Sequence, residues 1–345
     1  MQSTQHAQIP MRWVGPIHMV LHGKQEQFSF PLATFETPLW PSTARGAKIS
    51  RLTDGIHVSV GDERMARSIL LEAPSAADAL QTLQSILRDT SVIRDAVNKT
   101  TRHGSFCDVH GQVVGHLLYL RIEMQTGDAA GHNMVTAAAE AALDAICQQY
   151  PRLQYGSLSA NMCTDKKNAA INGLLGRGHY TIAEIRIPSE ICRQHLRSTP
   201  AQIERVNQHK NWVGSMLAGS IRSANAHVAN ILLAAYLATG QDAANIVEGS
   251  QAFTLAEEQE DELRFSLTLP NLILGTIGNG KHLPFVEENL ARLGCREERA
   301  TGENARRLAA MIAAATLCSE LSLLAALTNP GELMRAHRKL ERKQS

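Results

Sequence analysis

The chain has 345 residues, of which 44% are apolar and 19% charged, enough to bury the core of two domains and too apolar for a disordered protein. Lys and Arg total 34 against 33 Asp and Glu, a formal net charge of +1, and aromatics are 4%. A chain this balanced has no global field to draw in nucleic acid or an anionic membrane, and too few rings for a base-stacking platform.

The first stretch, to about Ser50, carries Pro31, Pro38 and Pro41 close together, which reads as a buried, shaped loop. Ile69-Leu70-Leu71 reads as a short buried strand, and Ser75 as the N-cap of a helix over Ala76–Arg88. Over Val113–Gln125 apolar Leu118, Leu120, Ile122 and Met124 alternate with polar residues, as in a strand. A Thr126-Gly127-Asp128 turn leads to an Ala-rich helix, Met134–Tyr150, stopped by Pro151. Strand, helix, strand, helix makes a small α+β unit of its own.

After Asp165 the pattern turns helical, with long periods over Ala201–Ser220, Ala224–Thr239 and Glu303–Leu327 and one alternating strand at Leu263–Leu269. Asn329-Pro330 reads as a cap and first residue of a last helix running through His337. The apolar runs Ile231–Ala238 and Leu308–Cys318 fall short of the ~20 residues of a membrane span, and Met1–Arg12 lacks the apolar stretch of a signal peptide. Cys107, Cys147, Cys163, Cys192, Cys295 and Cys318 show no metal or CxxC spacing. The expectation is free thiols in a reducing cytoplasm, no metal, no membrane and no nucleic-acid partner.

Four groups of residues carry possible chemistry. Asp165-Lys166-Lys167 precedes an apolar Ala-Ala-Ile run, where a lysine polarises a carbonyl or is simply a solvated surface charge. Thr126–Met134 joins a strand to a helix N-terminus, a natural anion site, although Asp128 would repel phosphate if it faced it. Gly275-Thr-Ile-Gly-Asn-Gly-Lys281-His282 approaches the P-loop pattern but lacks its Ser or Thr, which leaves a glycine-rich turn open to a ligand. His227 and Asn230 share a helix face, Asp242 follows Thr239-Gly240-Gln241, and His337 lies near the basic C-terminal end; a satisfied core histidine is the default for His227 and an exposed one for His337.

Taken together these segments resemble the 3-hydroxy-3-methylglutaryl-CoA reductase family, in its eukaryotic and archaeal style. The resemblance covers nearly the whole chain. It rests on Ser42-Thr-Ala-Arg-Gly46, Asp128–Met134, Cys163-Thr-Asp-Lys-Lys167 with Ala169–Asn172, Lys210–Ser215 and Asn225–Asn230. It continues in Ala238–Asp242, Gly275–Gly278, Gly302–Arg306 and Glu320-Leu-Ser-Leu323. It implies an α+β fold. A large helical substrate and CoA domain (1–67 and 158–345) is interrupted by a small ferredoxin-like NADPH domain (68–157). It also implies a dimer or tetramer with active sites at the subunit boundary.

The resemblance further implies a four-electron reduction of an acyl-CoA by NADPH to mevalonate and free CoA, for isoprenoid synthesis. Its catalytic groups fall on Glu36, Lys166, Asp242 and His337. Lys166 would stabilise the oxyanion of each reduction, and Asp242 would hold that charge. Glu36, sharing the site with Asp242, would have a raised pKa and donate a proton, and His337 on a mobile tail would protonate the departing thiolate. Ser42, Arg45, Arg67, Ser159, Lys167, Lys210, His227 and Asn230 match positions for the acyl group or CoA. Arg102, Asp128, Gly131, Asn133, Met134 and Gly278 match the NADPH side. Three departures stand out: Thr34-Phe-Glu-Thr-Pro-Leu39 for Thr-Thr-Glu-Gly-Ala-Leu, Ala44 for an Asn, and Asn279 for a Gly. Two alternatives follow from the departures near Glu36: a same-fold reductase of another acyl thioester, or a non-catalytic CoA-binding paralogue.

Overall fold

The computed structural model describes residues 7–335 apart from Leu333, so His337 lies outside the described residues. Met11 to Leu52 is mostly regular, contrary to the expected loop. Strands β1 (Met11–Leu21) and β2 (Lys24–Ala33) form an antiparallel hairpin followed by helix α1 (Leu39–Leu52). The prolines are accommodated by position. Pro31 lies in β2, a sheet-edge strand with no outer neighbour to miss its N–H. Pro38 is the N-cap of α1 and Pro41 falls in its first turn, where backbone N–H groups have no intrahelical acceptor.

Strand β3 (Ile56–Glu72) is seventeen residues long, far more than the Ile69–Leu71 strand the sequence suggests. Helix α2 (Ala76–Arg88) begins as expected, with the Ser75 side chain accepting the Asp78 N–H. Helix α3 (Ser91–Lys99) and strand β4 (Ser105–Val114) precede β5 (Leu117–Gln125), so the expected Val113–Gln125 strand is cut by a turn at Gly115-His116. Helix α4 (His132–Gln149) and the short β6 (Gln154–Ser157) close this region.

The remaining chain is not simply helical. Helix α5 (Ala170–Leu175) leads to strand β7 (Gly178–Pro188). A one-turn α6 (Ser189–Ile191) is followed by α7 (Pro200–Val206), a π-helical stretch Asn207–Gly214 and α8 (Ser215–Leu217), which together continue one helical rod. Then come α9 (Val228–Ala238), the one-turn α10 (Ile246–Gly249), a hairpin of β8 (Phe253–Gln259) and β9 (Glu262–Leu272), α11 (Pro284–Arg292) and α12 (Glu303–Leu327). The expected cap at Asn329 is also different: its side-chain amide donates to the Arg197 carbonyl at 2.9 Å, tying off the end of α12.

The sheet order is β2-β1-β3-β7-β9-β8, and β3 also carries β5 and β6 along its second half, with β4 outside β5. Only β1 and β3 run parallel; the other pairs are antiparallel. The fold is therefore α+β with a mixed sheet. Buried apolar residues form two clusters. One holds β1, β2, the start of β3, β7, β9, α9 and α12; the other holds the end of β3, α2, α3, β5 and α4. Helix α12 has a mean hydropathy of 1.8 over an 18-residue window, long and apolar enough to cross a membrane, but 94% of that window is buried in the protein. Buried on nearly all sides, it is the central core helix. It meets α1 at Gly46, where a Cβ would stand 2.1 Å from the Cys318 carbonyl oxygen.

Candidate active site

The loop between β6 and α5 carries Lys166, and the turn after α9 carries Asp242. The Lys166 Nζ lies 2.7 Å from Asp242 Oδ2, with both side chains about half exposed. Asp242 is oriented by its own turn, since Oδ1 accepts the Ala244 N–H at 3.1 Å. The Asp242 hydrogen bond raises the Lys166 ammonium above the ordinary lysine value against partial desolvation. For Asp242 desolvation acts upward, but the Lys166 and Ala244 hydrogen bonds outweigh it and hold the carboxyl below its usual range. The pair is thus an ammonium and a carboxylate at neutral pH, and the ammonium retains donors for a developing oxyanion.

The Lys166 loop is strained and braced. Asn161, Thr164 and Lys166 all have positive φ, at 58°, 40° and 55°. Such residues cost of order 1–3 kcal/mol each and persist only where the surroundings dictate them. Two fully buried arginines supply part of that bracing. Arg121 on β5 donates to the carbonyls of Met162 (3.2 Å) and Gly176 (2.6 Å) and to Asn172 Oδ1 (3.1 Å), and is balanced by Glu123 at 2.6 Å. Arg177 donates to Asp165 Oδ1 at 2.7 Å and to the Ala66 carbonyl at 2.5 Å. Arg67 Nη2 sits 3.6 Å and His132 Nε2 3.7 Å from the same Asp165 carboxylate. Burial and then Arg177 lower the His132 pKa, so its imidazole is neutral at pH 7. Lys167 turns away to donate to the Asp165 carbonyl at 3.0 Å, and Ser159 is exposed at the loop's start.

A second group gathers on one face of α12. Ser42 and Arg45, both on α1, reach Ser322: Ser42 Oγ donates to Ser322 Oγ at 3.0 Å, Arg45 Nε does the same, and Arg45 Nη2 donates to the Ser322 carbonyl. Arg45 Nη1 pairs with Glu332 at 2.7 Å. Buried Glu320 accepts the N–H groups of Ala226 (2.8 Å) and His227 (2.7 Å), and His227 Nε2 lies 3.1 Å from Ser319 Oγ. Lys210, in the π-helical stretch, bonds Asn211 Oδ1 at 3.1 Å; burial lowers its pKa while Glu320 opposes the change. Asn230 is exposed on the first turn of α9.

Glu36 lies between β2 and α1, its N–H donated to Thr34 Oγ1 at 3.0 Å. Within one chain no hydrogen bond or ion pair among the described residues joins it to Lys166 or Asp242. The departures Thr37 and Ala44 line a single cavity with Arg12, Trp13 and Trp40.

On the side expected to hold the cofactor, Gly131 caps α4 in the left-handed region, at φ 86°, without a side-chain cap. The first N–H groups of that helix are therefore not taken up by a capping side chain. Asn133 and Met134 stand in its first turn. Asp128 does not face this opening. Its Oδ2 accepts the Gly302 N–H at 3.0 Å and its Oδ1 the Ala305 N–H at 2.9 Å, capping α12 from outside. Its two oxygens are thus directed at backbone donors of α12 rather than at the start of α4. The Asp128 carbonyl accepts the Thr276 N–H at 2.7 Å, locking the turn to the glycine loop. In that loop a Cβ on Gly275 would stand 2.4 Å from the Ala130 nitrogen, while Gly278, at φ 97°, faces open space. Arg102 is exposed in a cavity shared with Gly127, Gly302 and Arg306.

This loop is also fastened to the Asp242 turn. Gln241 receives the Gly275 N–H (2.9 Å) and donates to the Gly275 carbonyl (3.0 Å). Lys281 is buried and donates to the Gly240 carbonyl; burial first, and Arg296 second, push its pKa down to about 8, against the pull of Asp242. Sequence reading missed Glu123, Arg121, Arg177, His132 and Gln241 and treated Lys281 only as a motif letter. A charged residue flanked by two glycines, as in Gly176-Arg177-Gly178, is the one local signal that was present. Among the described residues no cluster of His, Cys, Asp or Glu suits a metal ion.

Residues 4–342 match the family model described as hydroxymethylglutaryl-coenzyme A reductase. The chain is 41% identical over 338 residues to 3-hydroxy-3-methylglutaryl-coenzyme A reductase of Pyrococcus abyssi, covering 97% of this chain and 82% of that one. It is 42% identical over 341 residues to the protein of the same name from Aeropyrum pernix, covering 97% and 80%. Among solved structures, the class II 3-hydroxy-3-methylglutaryl-CoA reductase of Streptococcus pneumoniae bound to NADPH superimposes with a TM-score of 0.74 at 20% identity, covering 94% of this chain and 86% of that one.

Proposed function

The chain belongs to the hydroxymethylglutaryl-coenzyme A reductase family, and from that premise we propose that Lys166, Asp242, Glu36 and His337 carry out its reaction. The reaction is the NADPH-dependent reduction of 3-hydroxy-3-methylglutaryl-CoA to mevalonate and CoA. The observation that carries the assignment of residues is the 2.7 Å Lys166–Asp242 pair, on a turn fastened to the glycine loop by Gln241.

NADPH supplies the hydride in each of two reductions. The uncapped start of α4 and the open Gly278 turn fit a dinucleotide: the N–H groups suit a diphosphate, and the absence of side chains lets it approach the backbone. Gly131, Asn133, Met134 and Gly278 form that cradle, Asp128 shapes it by fixing α12 and the glycine loop, and Arg102 is assigned to the cofactor from the resemblance alone.

The first reduction turns the thioester carbonyl into an oxyanion, which Lys166 stabilises as an ammonium held by Asp242. The hemithioacetal then breaks to aldehyde and CoA thiolate, and His337 protonates the thiolate. The aldehyde forms a second oxyanion on the same Lys166, and Glu36 delivers the proton. Arg45, Ser42, Lys210 and His227, gathered on α12, with Arg67, Lys167, Ser159 and Asn230, receive the acyl carboxylate and CoA. Glu36 reaches the pair from a second subunit, so the site forms at a boundary between copies of the chain. The presence of two hydrophobic clusters supports a division into a small NADPH unit, residues 68–157, and a larger acyl-CoA unit, although Met65 and Ile273 from outside that range join the smaller cluster. Six free cysteines suit a cytoplasmic location.

The test is stoichiometric. Purified protein, 3-hydroxy-3-methylglutaryl-CoA and NADPH should consume two NADPH per CoA thiol released. No consumption, or one NADPH per CoA, would refute the four-electron reaction.

A further inference from the structure

Glu248 stands apart from the residues with assigned roles. It is fully buried at the end of the one-turn helix α10, a few residues beyond Asp242. Its Oε1 accepts the Lys166 backbone N–H at 2.6 Å. That donor belongs to a non-glycine residue at φ 55°, the conformation that sets the direction in which the Lys166 side chain leaves the backbone. Arg177 stands behind the contact. Its Nε is 3.6 Å from Glu248 Oε1, while its Nη2 holds Asp165, the residue before Lys166, at 2.7 Å. One buried guanidinium thus holds the Asp165 side chain and faces the carboxylate that accepts the Lys166 N–H, so Arg177 is tied to both residues of that peptide. The other Glu248 oxygen has no partner, and burial raises the carboxyl's pKa against the pull of Lys166 N–H and Arg177. A buried carboxylate with an unspent oxygen is costly for the fold alone. Its one strong hydrogen bond is to the backbone of the proposed oxyanion-binding lysine.

We infer that Glu248, backed by Arg177, is a positioning residue that fixes the backbone of Lys166 so that its ammonium meets both Asp242 and the reacting carbonyl. The inference rests on the role proposed for Lys166. It assigns Glu248 no contact with substrate. Asp242 and Glu248 sit on one short segment, so a single stretch of chain sets both the counter-charge and the backbone angle of the lysine.

The geometry makes the acceptor oxygen, rather than the charge, the necessary feature. Glu248→Gln keeps a carbonyl oxygen at the same reach; Glu248→Ala removes it, and Glu248→Asp withdraws it by one methylene. In the full-length enzyme, Glu248→Ala and Glu248→Asp should lower kcat about 30- to 100-fold, the effect of misplacing a catalytic group by an ångström or so. The loss should be equal with the CoA thioester and with free mevaldehyde, and the KM for NADPH should stay within about twofold. Glu248→Gln should recover kcat to within about threefold of wild type. Thermal midpoints of all three variants identify any that fail to fold, and Glu248→Asp keeps the comparison alive if Glu248→Ala does so.

Wild-type kcat in folded Glu248→Asp or Glu248→Ala would overturn the inference. So would a Glu248→Gln variant as inactive as the alanine variant, or a loss confined to KM. Lys166→Ala separates the two levels of the argument. If that variant stays active, the role of Lys166 itself is wrong; if it is inactive while the Glu248 variants are unaffected, only the positioning role is wrong.

Discussion

In the role proposed for it, Lys166 does the same work twice, because each reduction passes through an oxyanion. Lys166→Ala should therefore abolish turnover of both the thioester and free mevaldehyde. A loss of about 3–4 kcal/mol of transition-state stabilisation, some 10²- to 10³-fold in kcat, is the scale for one preorganised donor. Reduction of the free aldehyde at near wild-type rate would refute the role. The second residue with a measurable signature is Lys281. Burial lowers its pKa from 10.5 to about 8 in the folded protein. Between these values the unfolded chain holds a proton on Lys281 that the folded chain has released, so folding gains as pH rises through that window and carries the full cost below pH 8. The gain is on the order of 3 kcal/mol for this residue. Urea denaturation across pH 8 to 10.5 should show the wild-type stability rising relative to Lys281→Met. Parallel curves would mean that the ammonium is not desolvated.

At the scale of elements, the cofactor turn and the core helix depend on each other through Asp128. Both of its oxygens cap α12, so Asp128→Ala leaves two N–H groups at the start of the longest helix unpaired. The expected cost is about 1–2 kcal/mol, with Asp128→Asn losing less because one oxygen remains. Chemical denaturation curves would settle this, and equal midpoints for wild type and the alanine variant would rule it out. The α1–α12 crossing is a sharper case. Gly46 lets the two backbones touch, and any Cβ there collides with the main chain at Cys318 rather than with a movable side chain. Gly46→Ala should cost at least 1–3 kcal/mol by forcing the helices apart. Because Ser42 and Arg45 ride on α1, it should also raise the KM for the acyl-CoA. A variant with unchanged melting temperature and KM would show that α1 yields freely.

For the whole molecule, the separation of Glu36 from the Lys166–Asp242 pair is the informative feature. A site completed by a second copy predicts complementation. Lys166→Ala and Glu36→Gln proteins, each inactive alone, should regain activity when unfolded together and refolded as mixed dimers. In random dimers about a quarter of the sites would carry both native residues. No recovery from mixed dimers, with a particle mass above the 37.6 kDa of one chain verified by sedimentation, would place both residues in one subunit.

The sequence by itself determined whatever depends on neighbours a turn or two away. Ser75 announced α2 to the residue, and the Ala and Leu pattern of Glu303–Leu327 announced α12, because capping and periodicity are local properties. Motif order pointed to Lys166 and Asp242 in the same way, since a family resemblance is carried by residue type at fixed intervals. Tertiary structure decided the rest. Pro31 argues against a strand until β2 is known to be an edge, and β7 pairs β3 and β9 across long stretches of chain that no window includes. No local signal shows that both Asp128 oxygens accept N–H groups at the start of α12, because those groups lie 174 and 177 residues further along the chain. Glu248 carries no motif and Arg177 only its flanking glycines, because a charge becomes a buried brace only when remote segments close over it. The chemistry of the site is written in residue types, but the angle at which Lys166 presents its ammonium is set by packing between segments that meet only in the folded chain.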